Sequence, residues 1–135
     1  MNYWLIKTEP HVWSWKNQVD AKVTHWDGVR NYQARNNLKV MKVGDLAFFY
    51  HTGEERRIMG IVEIIKPYYP DPTDPAGRFG MVDVKACTPF SHPVNLATIK
   101  KDPRFQHLGL VRQSRLSVMP IDEASWEILT SLGAD

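Results

Sequence analysis

Residues 46–66 read Leu46-Ala47-Phe48-Phe49-Tyr50-His51-Thr52-Gly53-Glu54-Glu55-Arg56-Arg57-Ile58-Met59-Gly60-Ile61-Val62-Glu63-Ile64-Ile65-Lys66. Two aromatic and β-branched runs flank the polar link Thr52–Arg56, which is the pattern of two strands joined by a hairpin. Pro67 stops the second run. Upstream, Lys42-Val43-Gly44-Asp45 is a turn feeding the first strand. Before it, Asn31 to Met41 reads as a helix, because Ala34, Leu38 and Met41 fall at i, i+4 and i+7. Tyr3 to Thr8 is a short strand stopped by Glu9-Pro10, and Ser14 caps a brief helix through about Val19. Downstream, Tyr68 to Gly80 reads as an irregular loop from its prolines and glycines. Met81 to Thr88 alternates as a strand, Asn95 to Lys101 is a short helix, and Leu116 to Ile121 is a last strand. Asp122 caps a C-terminal helix anchored by Trp126 and Leu129. The expectation is a mixed α+β fold of five to six strands with flanking short helices. Short connections make the pairing mostly antiparallel, and closure into a small barrel would remove exposed edges.

The chain has 135 residues, 43% hydrophobic and 24% charged, which suits one compact domain spanning 1–135. Its longest apolar stretch, Leu46 to Tyr50, is far short of the roughly 18–20 residues that span a bilayer. No membrane partner is expected. The N-terminus lacks a basic segment followed by an apolar run, so no secretion is expected. That places the chain in the cytoplasm of a bacterium, or in the nucleus of a eukaryote. The lone Cys87 makes no internal disulfide. Net charge is +2, too mild for a non-specific nucleic-acid binder but compatible with gripping one or two phosphates beside a pocket.

Most enzyme signatures are absent. There is no phosphate loop, dinucleotide fingerprint, His-Glu-x-x-His pair or Gly-x-Ser-x-Gly elbow. Five histidines at 11, 25, 51, 92 and 107 lack metal-ligand spacing, so neither metal nor cofactor is expected. Cys87 in an alternating strand reads as a small inert thiol.

The segment Trp26-Asp27-Gly28-Val29-Arg30-Asn31-Tyr32-Gln33-Ala34-Arg35-Asn36 is different. A solvated helix face is normally made of Lys and Glu; here the polar residues are Asn, Gln and Arg, planar hydrogen-bonders suited to flat ligands and phosphate. A purely structural reading has Asn31 capping the helix while Arg30 and Arg35 form surface pairs. Two strand ends, at Lys7-Thr8 and at Tyr50-His51, could meet this segment. Trp26, Trp13 or Trp15, and Tyr50 would then wall a flat slot, with Thr8, Asn31 and His51 at its edges. Such a slot holds a base taken out of its stack. The alternative is that these aromatics fill the core.

Four blocks carry a resemblance: Tyr3-Trp4-Leu5-Ile6-Lys7-Thr8-Glu9-Pro10, the 26–36 segment, Met41–Asp45 with Phe48–His51, and Arg115-Leu116-Ser117-Val118. In this order and spacing they resemble the EVE domain, essentially end to end. The resemblance implies a PUA-like fold, a small twisted β-barrel with helices around it. It implies binding of a modified nucleobase, methylated or hydroxymethylated cytosine in DNA or a modified base in RNA. Carried onto this chain, the pocket comprises Lys7, Thr8, Trp26, Val29, Arg30, Asn31, Tyr32, Tyr50 and His51. Arg35 and Arg115 stand as phosphate or rim residues. Thr8 stands where the family often has Ser, and its methyl would narrow the slot. The reading is a monomeric, non-catalytic module, with a separately encoded nuclease as a further partner. Two rivals stand: an enzyme on modified bases using His51 or Glu9, and a protein-interaction module with a vestigial pocket.

Overall fold

A computed structural model describes residues 1–134. In it, β1 (Tyr3–Thr8) lies parallel to β3 (Leu46–His51), pairing Tyr3 with Leu46 and Thr8 with His51. The other four pairings are antiparallel, in line with the mostly antiparallel reading of the short connections, and β1–β3 is the parallel exception. A parallel pair needs a long crossover. Residues 9–45 supply it, as α1 (Trp15–Ala21), β2 (Val23–His25) and α2 (Tyr32–Val40). Next come β4 (Arg57–Pro70), β5 (Gly80–Asn95), α3 (Leu96–Lys101) and a 3-10 turn at Pro103–Phe105. The chain ends with α4 (Gly109–Arg112), β6 (Val118–Ile121) and α5 (Glu123–Gly133). The six strands form one sheet in the order β2-β5-β4-β3-β1-β6.

Two strands outrun their expected ends. β4 continues through Pro67 to Pro70, and β5 runs past Pro89 and Pro93 to Asn95. The prolines are tolerated because each sits where one side of its strand is unpaired. β3 reaches only Glu63 of β4, and β2 covers only Asp83 to Lys85 of β5. The β4–β5 ladder also shifts register at four points, so strict alternation is lost where the sequence reads as loop. β2, three residues long, leaves no periodicity to detect.

The core covers both faces of the sheet, because neighbouring side chains of a strand point to opposite sides. Leu5, Ile6, Phe48, Phe49, Ile58, Val62, Val82 and Val84 are all buried, as are Ala34 and Leu38 of α2 and Leu129 of α5. Phe49 meets Trp15 and Trp26, while Phe48 meets Phe90 and Trp126. Trp126 stacks on Phe48 with centroids 3.9 Å apart and on Tyr3 at 4.5 Å. Trp4 donates through Nε1 to the buried Asp45, which also accepts the backbone N–H groups of Asn2 and Lys42. This knot fixes the turn ahead of β3. Gly60 is required by packing, since a Cβ there would lie 2.5 Å from the Trp15 ring. No ladder among the described residues joins β2 to β6. The sheet nevertheless curls until its two ends, at Thr24–His25 and at Ser117, face each other across one cavity.

Candidate nucleic-acid interface

That cavity, of about 490 Å³, opens at the C-terminal ends of β1 and β2. Its size lies in the range of pockets that hold small ligands, about 300–1,000 Å³. Lys7 and Thr8 close β1 at its base, Trp13 forms one wall, and Trp26, Asp27, Gly28, Val29 and Arg30 form the other. Each part is held by a bond that the local sequence explains. The Thr8 hydroxyl donates to the Trp13 carbonyl at 2.9 Å, fastening the 9–13 loop over the strand end. The Trp13 indole donates to Oε1 of Gln18, a fully buried amide whose Nε2 donates to the Lys22 carbonyl. Lys7 donates to the Ser114 carbonyl at 3.1 Å and lies over the Tyr50 ring; burial lowers its pKa.

The other wall is tied to a distant loop. Gly28 takes φ +80°, with open space where a side chain would project, so the turn itself demands glycine. Its N–H donates to Asp71, which also accepts from Arg30 at 3.1 Å and from Thr73. Burial pushes the Asp71 carboxyl up, but hydrogen bonds from Thr73, Gly28 and Arg30 outweigh it and hold its pKa at about 2. Asp27 is exposed, and its carboxylate has no hydrogen-bond or ion-pair partner among the described residues. On the outer side of this wall Tyr32 stacks on Phe79 at 5.1 Å, and Arg35 covers the Tyr32 ring at 4.7 Å. At the β2 end, the carboxylate of Asp83 accepts from Tyr69 and contacts His25 Nδ1 at 2.8 Å. Burial raises the Asp83 carboxyl, while Tyr69 and His25 bring it below its usual value.

Of the residues read from sequence, Lys7, Thr8, Trp26, Val29 and Arg30 line the cavity together. Asn31 and Arg115 line a neighbouring groove, and Tyr32 and Arg35 stand outside on the stacked face. Tyr50 and His51 lie beneath. Tyr50 is 2% exposed and burial pushes its phenol up to about 12, with Arg56 countering slightly. His51 Nε2 accepts the Trp15 backbone N–H, and its Nδ1 pairs with Glu55. The slot therefore has Trp13, not Tyr50, opposite Trp26: β3 is central in the sheet and turns Tyr50 into the core. Asn31 caps α2 by accepting from Ala34 N–H at 2.9 Å, as the structural reading had it. Sequence reasoning missed Thr24, His25, Asp27 and Ser117 as lining residues, and Asp71 as the anchor. Asp27 and Ser117 were present within the matching blocks; Asp71 sat in a stretch read as loop. Among the described residues, no group of three or more His, Cys, Asp or Glu is arranged to hold a metal, and no helix is long and apolar enough to cross a membrane.

The family model described as EVE domain matches residues 2–132. The chain belongs to the EVE domain family. This EVE domain is similar to human thymocyte nuclear protein 1, with 33% identity over 97% of this chain and 73% of the relative. Among solved structures, a Rhodopseudomonas palustris protein is 46% identical, with TM-score 0.92, covering 98% of this chain and 93% of that one. A structure of the human THYN1 protein in complex with 5-methylcytosine-containing DNA is 31% identical with TM-score 0.90. It covers 100% of this EVE domain and 99% of that chain. The architecture is PUA-like, as the resemblance implied.

Proposed function

We propose that this EVE domain is a non-catalytic reader of a modified cytosine, 5-methylcytosine in DNA first among the ligands. One observation carries the reading: a relative similar over the whole chain is found in complex with 5-methylcytosine-containing DNA. The cavity fits the same chemistry. A base entering it would stack on Trp13 and meet the edge of Trp26, and each aromatic contact of this kind contributes about 1–3 kcal/mol. Asp27 offers a carboxylate acceptor matched to the N4 amine of cytosine. Lys7 and Thr8 are spent on holding the Ser114 and Trp13 carbonyls, so they serve as framework rather than as acid, base or nucleophile. Arg35 and Arg115 face the strand outside the pocket. The domain works as a monomer in the cytoplasm of a bacterium or a nucleus, and any cleavage falls to a separately encoded nuclease.

Burying the 5-methyl group contributes about 0.8 kcal/mol, a preference of about fourfold. Unpairing the base from a duplex costs a few kcal/mol, which favours single-stranded or weakened sites. The test is a fluorescence titration with oligonucleotides carrying cytosine, 5-methylcytosine, 5-hydroxymethylcytosine or N6-methyladenine, in DNA and in RNA. A several-fold preference for methylated cytosine in DNA is expected. Equal, weak binding of all the oligonucleotides would reject the reading, and a preference for a modified RNA would move the ligand to RNA.

A further inference from the structure

The loop after α4 and the start of α2 enclose a second depression of about 360 Å³ beside the cavity. Asn31, Gln33, Arg112, Gln113, Ser114 and Arg115 line it, with Leu116 as its floor, and no carboxylate is among them. Arg112, Gln113 and Arg115 are exposed. Neither guanidinium has a hydrogen-bond or ion-pair partner among the described residues. Arg30, Arg57 and Arg104 are instead each paired with an acid. Two arginines three residues apart, uncompensated and edged by amides, repel one another and leave their donors unspent.

The depression shares a wall with the cavity. Ser114 lines the groove while its carbonyl accepts from Lys7, which lines the cavity. On one side Arg30 belongs to the cavity and Asn31 to the groove; on the other Ser117 belongs to the cavity and Leu116 to the groove. The shared wall sets the groove beside the cavity, next to where a strand with one base in the cavity carries a neighbouring phosphodiester if it leaves on this side.

We infer that the groove of Asn31, Gln33, Arg112, Gln113 and Arg115 is a phosphate subsite, taking the phosphodiester next to the base held in the cavity. The inference rests on the base-reading proposal for its ligand. Arginine suits the task because its planar fork engages two phosphate oxygens, and the flanking amides add neutral donors. Such contacts position the strand and carry no sequence information. The groove therefore governs affinity and salt dependence, while the cavity governs the choice of base.

The experiment titrates a short single-stranded oligonucleotide with one 5-methylcytosine, and its unmodified twin, at several salt concentrations. The proteins are the wild type, the double variant Arg112→Gln with Arg115→Gln, and a charge-matched control, Lys85→Gln with Lys100→Gln. All four positions are exposed, so folding is preserved and is checked by the melting temperature. Each lost phosphate contact lowers the slope of log affinity against log salt by about 0.7 on single strands. The arginine variant is expected to lose about 0.7 from the slope, for the one phosphodiester that the groove holds, and keep the wild-type preference for the methylated base. A neutral methylphosphonate at the linkage beside the modified base should weaken the wild type and leave the arginine variant unchanged. An unchanged slope in the arginine variant, or an equal loss in the lysine control, overturns the subsite. Absence of methyl preference in the wild type, with the arginine slope still reduced, rejects the reader and leaves the groove. No binding of either oligonucleotide by the wild type rejects both.

Discussion

The backbone N–H of Gly28 donates to the buried carboxylate of Asp71 across 2.8 Å, joining the cavity wall to a loop 43 residues later. The carboxylate uses both oxygens: Oδ2 accepts Gly28 and Arg30, and Oδ1 accepts the Thr73 amide and hydroxyl. One charge therefore fixes the left-handed turn at Gly28 and the direction of Arg30.

Asp71→Asn keeps the shape but turns an NH2 group toward one set of donors. The loss is expected to be about 1–3 kcal/mol of stability, the size of a buried donor left unpaired. The pH dependence has a defined sign. The folded pKa of about 2 lies below the unfolded value near 3.9, so the contribution is full above about pH 4 and disappears as pH falls through 2. Chemical denaturation between pH 5 and pH 2 should show a shallower acid decline in the variant. An identical decline in both proteins would show that the anchor carries no charge-linked stability.

Tyr50 and His51 test where the site ends. His51 accepts the Trp15 N–H at 2.9 Å from within the core, and Trp15 in turn lies against Gly60. His51→Leu orphans that N–H and is expected to lower stability by about 1–3 kcal/mol. Tyr50→Phe removes a hydroxyl without changing the ring. In both folded variants the affinity for a methylated oligonucleotide should stay within about twofold of wild type. A large affinity loss at full folding would return β3 to the binding surface.

These two residues also mark what a sequence can and cannot tell. Local patterns sufficed for β1, α2, β3 and the C-terminal helix, because each carries its own period and its own cap or stop, such as Asn31 and Asp122. They failed for β2, which exists only as a partner of Val84 and its neighbours, and for the proline-bearing ends of β4 and β5. The side of β3 that faces the cavity was equally illegible. Tyr50-His51 closes a strand beside Thr8 in the register, yet which face those side chains take follows from the parallel crossover and the curl of the sheet. Asp71 was hidden for a similar reason: its role depends on a contact 43 residues away.

Trp26 and Trp13 both border the cavity but differ in burial. Trp26 is 7% exposed and meets Phe49 edge-on at 5.5 Å, so Trp26→Ala opens a core cavity and costs about 3–5 kcal/mol. Its effect on binding would be confounded with unfolding. Trp13 is half-buried and held through its indole N–H by the buried Gln18. Trp13→Ala is expected to weaken methylated-oligonucleotide binding by about 5- to 150-fold, the equivalent of 1–3 kcal/mol of stacking, with a smaller stability loss than Trp26→Ala. Isothermal titration with a melting curve on each variant separates the two effects. Unaltered affinity in Trp13→Ala would move the base to another wall.

Asp27 is expected to set which base the cavity prefers. Thymine and 5-methylcytosine carry the same methyl group at the same ring position and differ along the N3–C4 edge: thymine has an N3–H donor and an O4 acceptor, cytosine an N3 acceptor and an N4 amine donor. An exposed, unpartnered carboxylate at the cavity wall accepts from the amine and repels the oxygen. Comparing the two in otherwise identical single strands removes the methyl contribution. The wild type should favour 5-methylcytosine by about 1–3 kcal/mol, the size of a matched base contact. Asp27→Leu, which can neither accept nor repel in this way, should bring the two affinities together chiefly by releasing thymine and weakening 5-methylcytosine. Its salt slope should be no smaller than that of the wild type, since no cation is lost. A preference that survives the substitution would assign the reading of the N3–C4 edge to main-chain groups of the 26–30 wall instead.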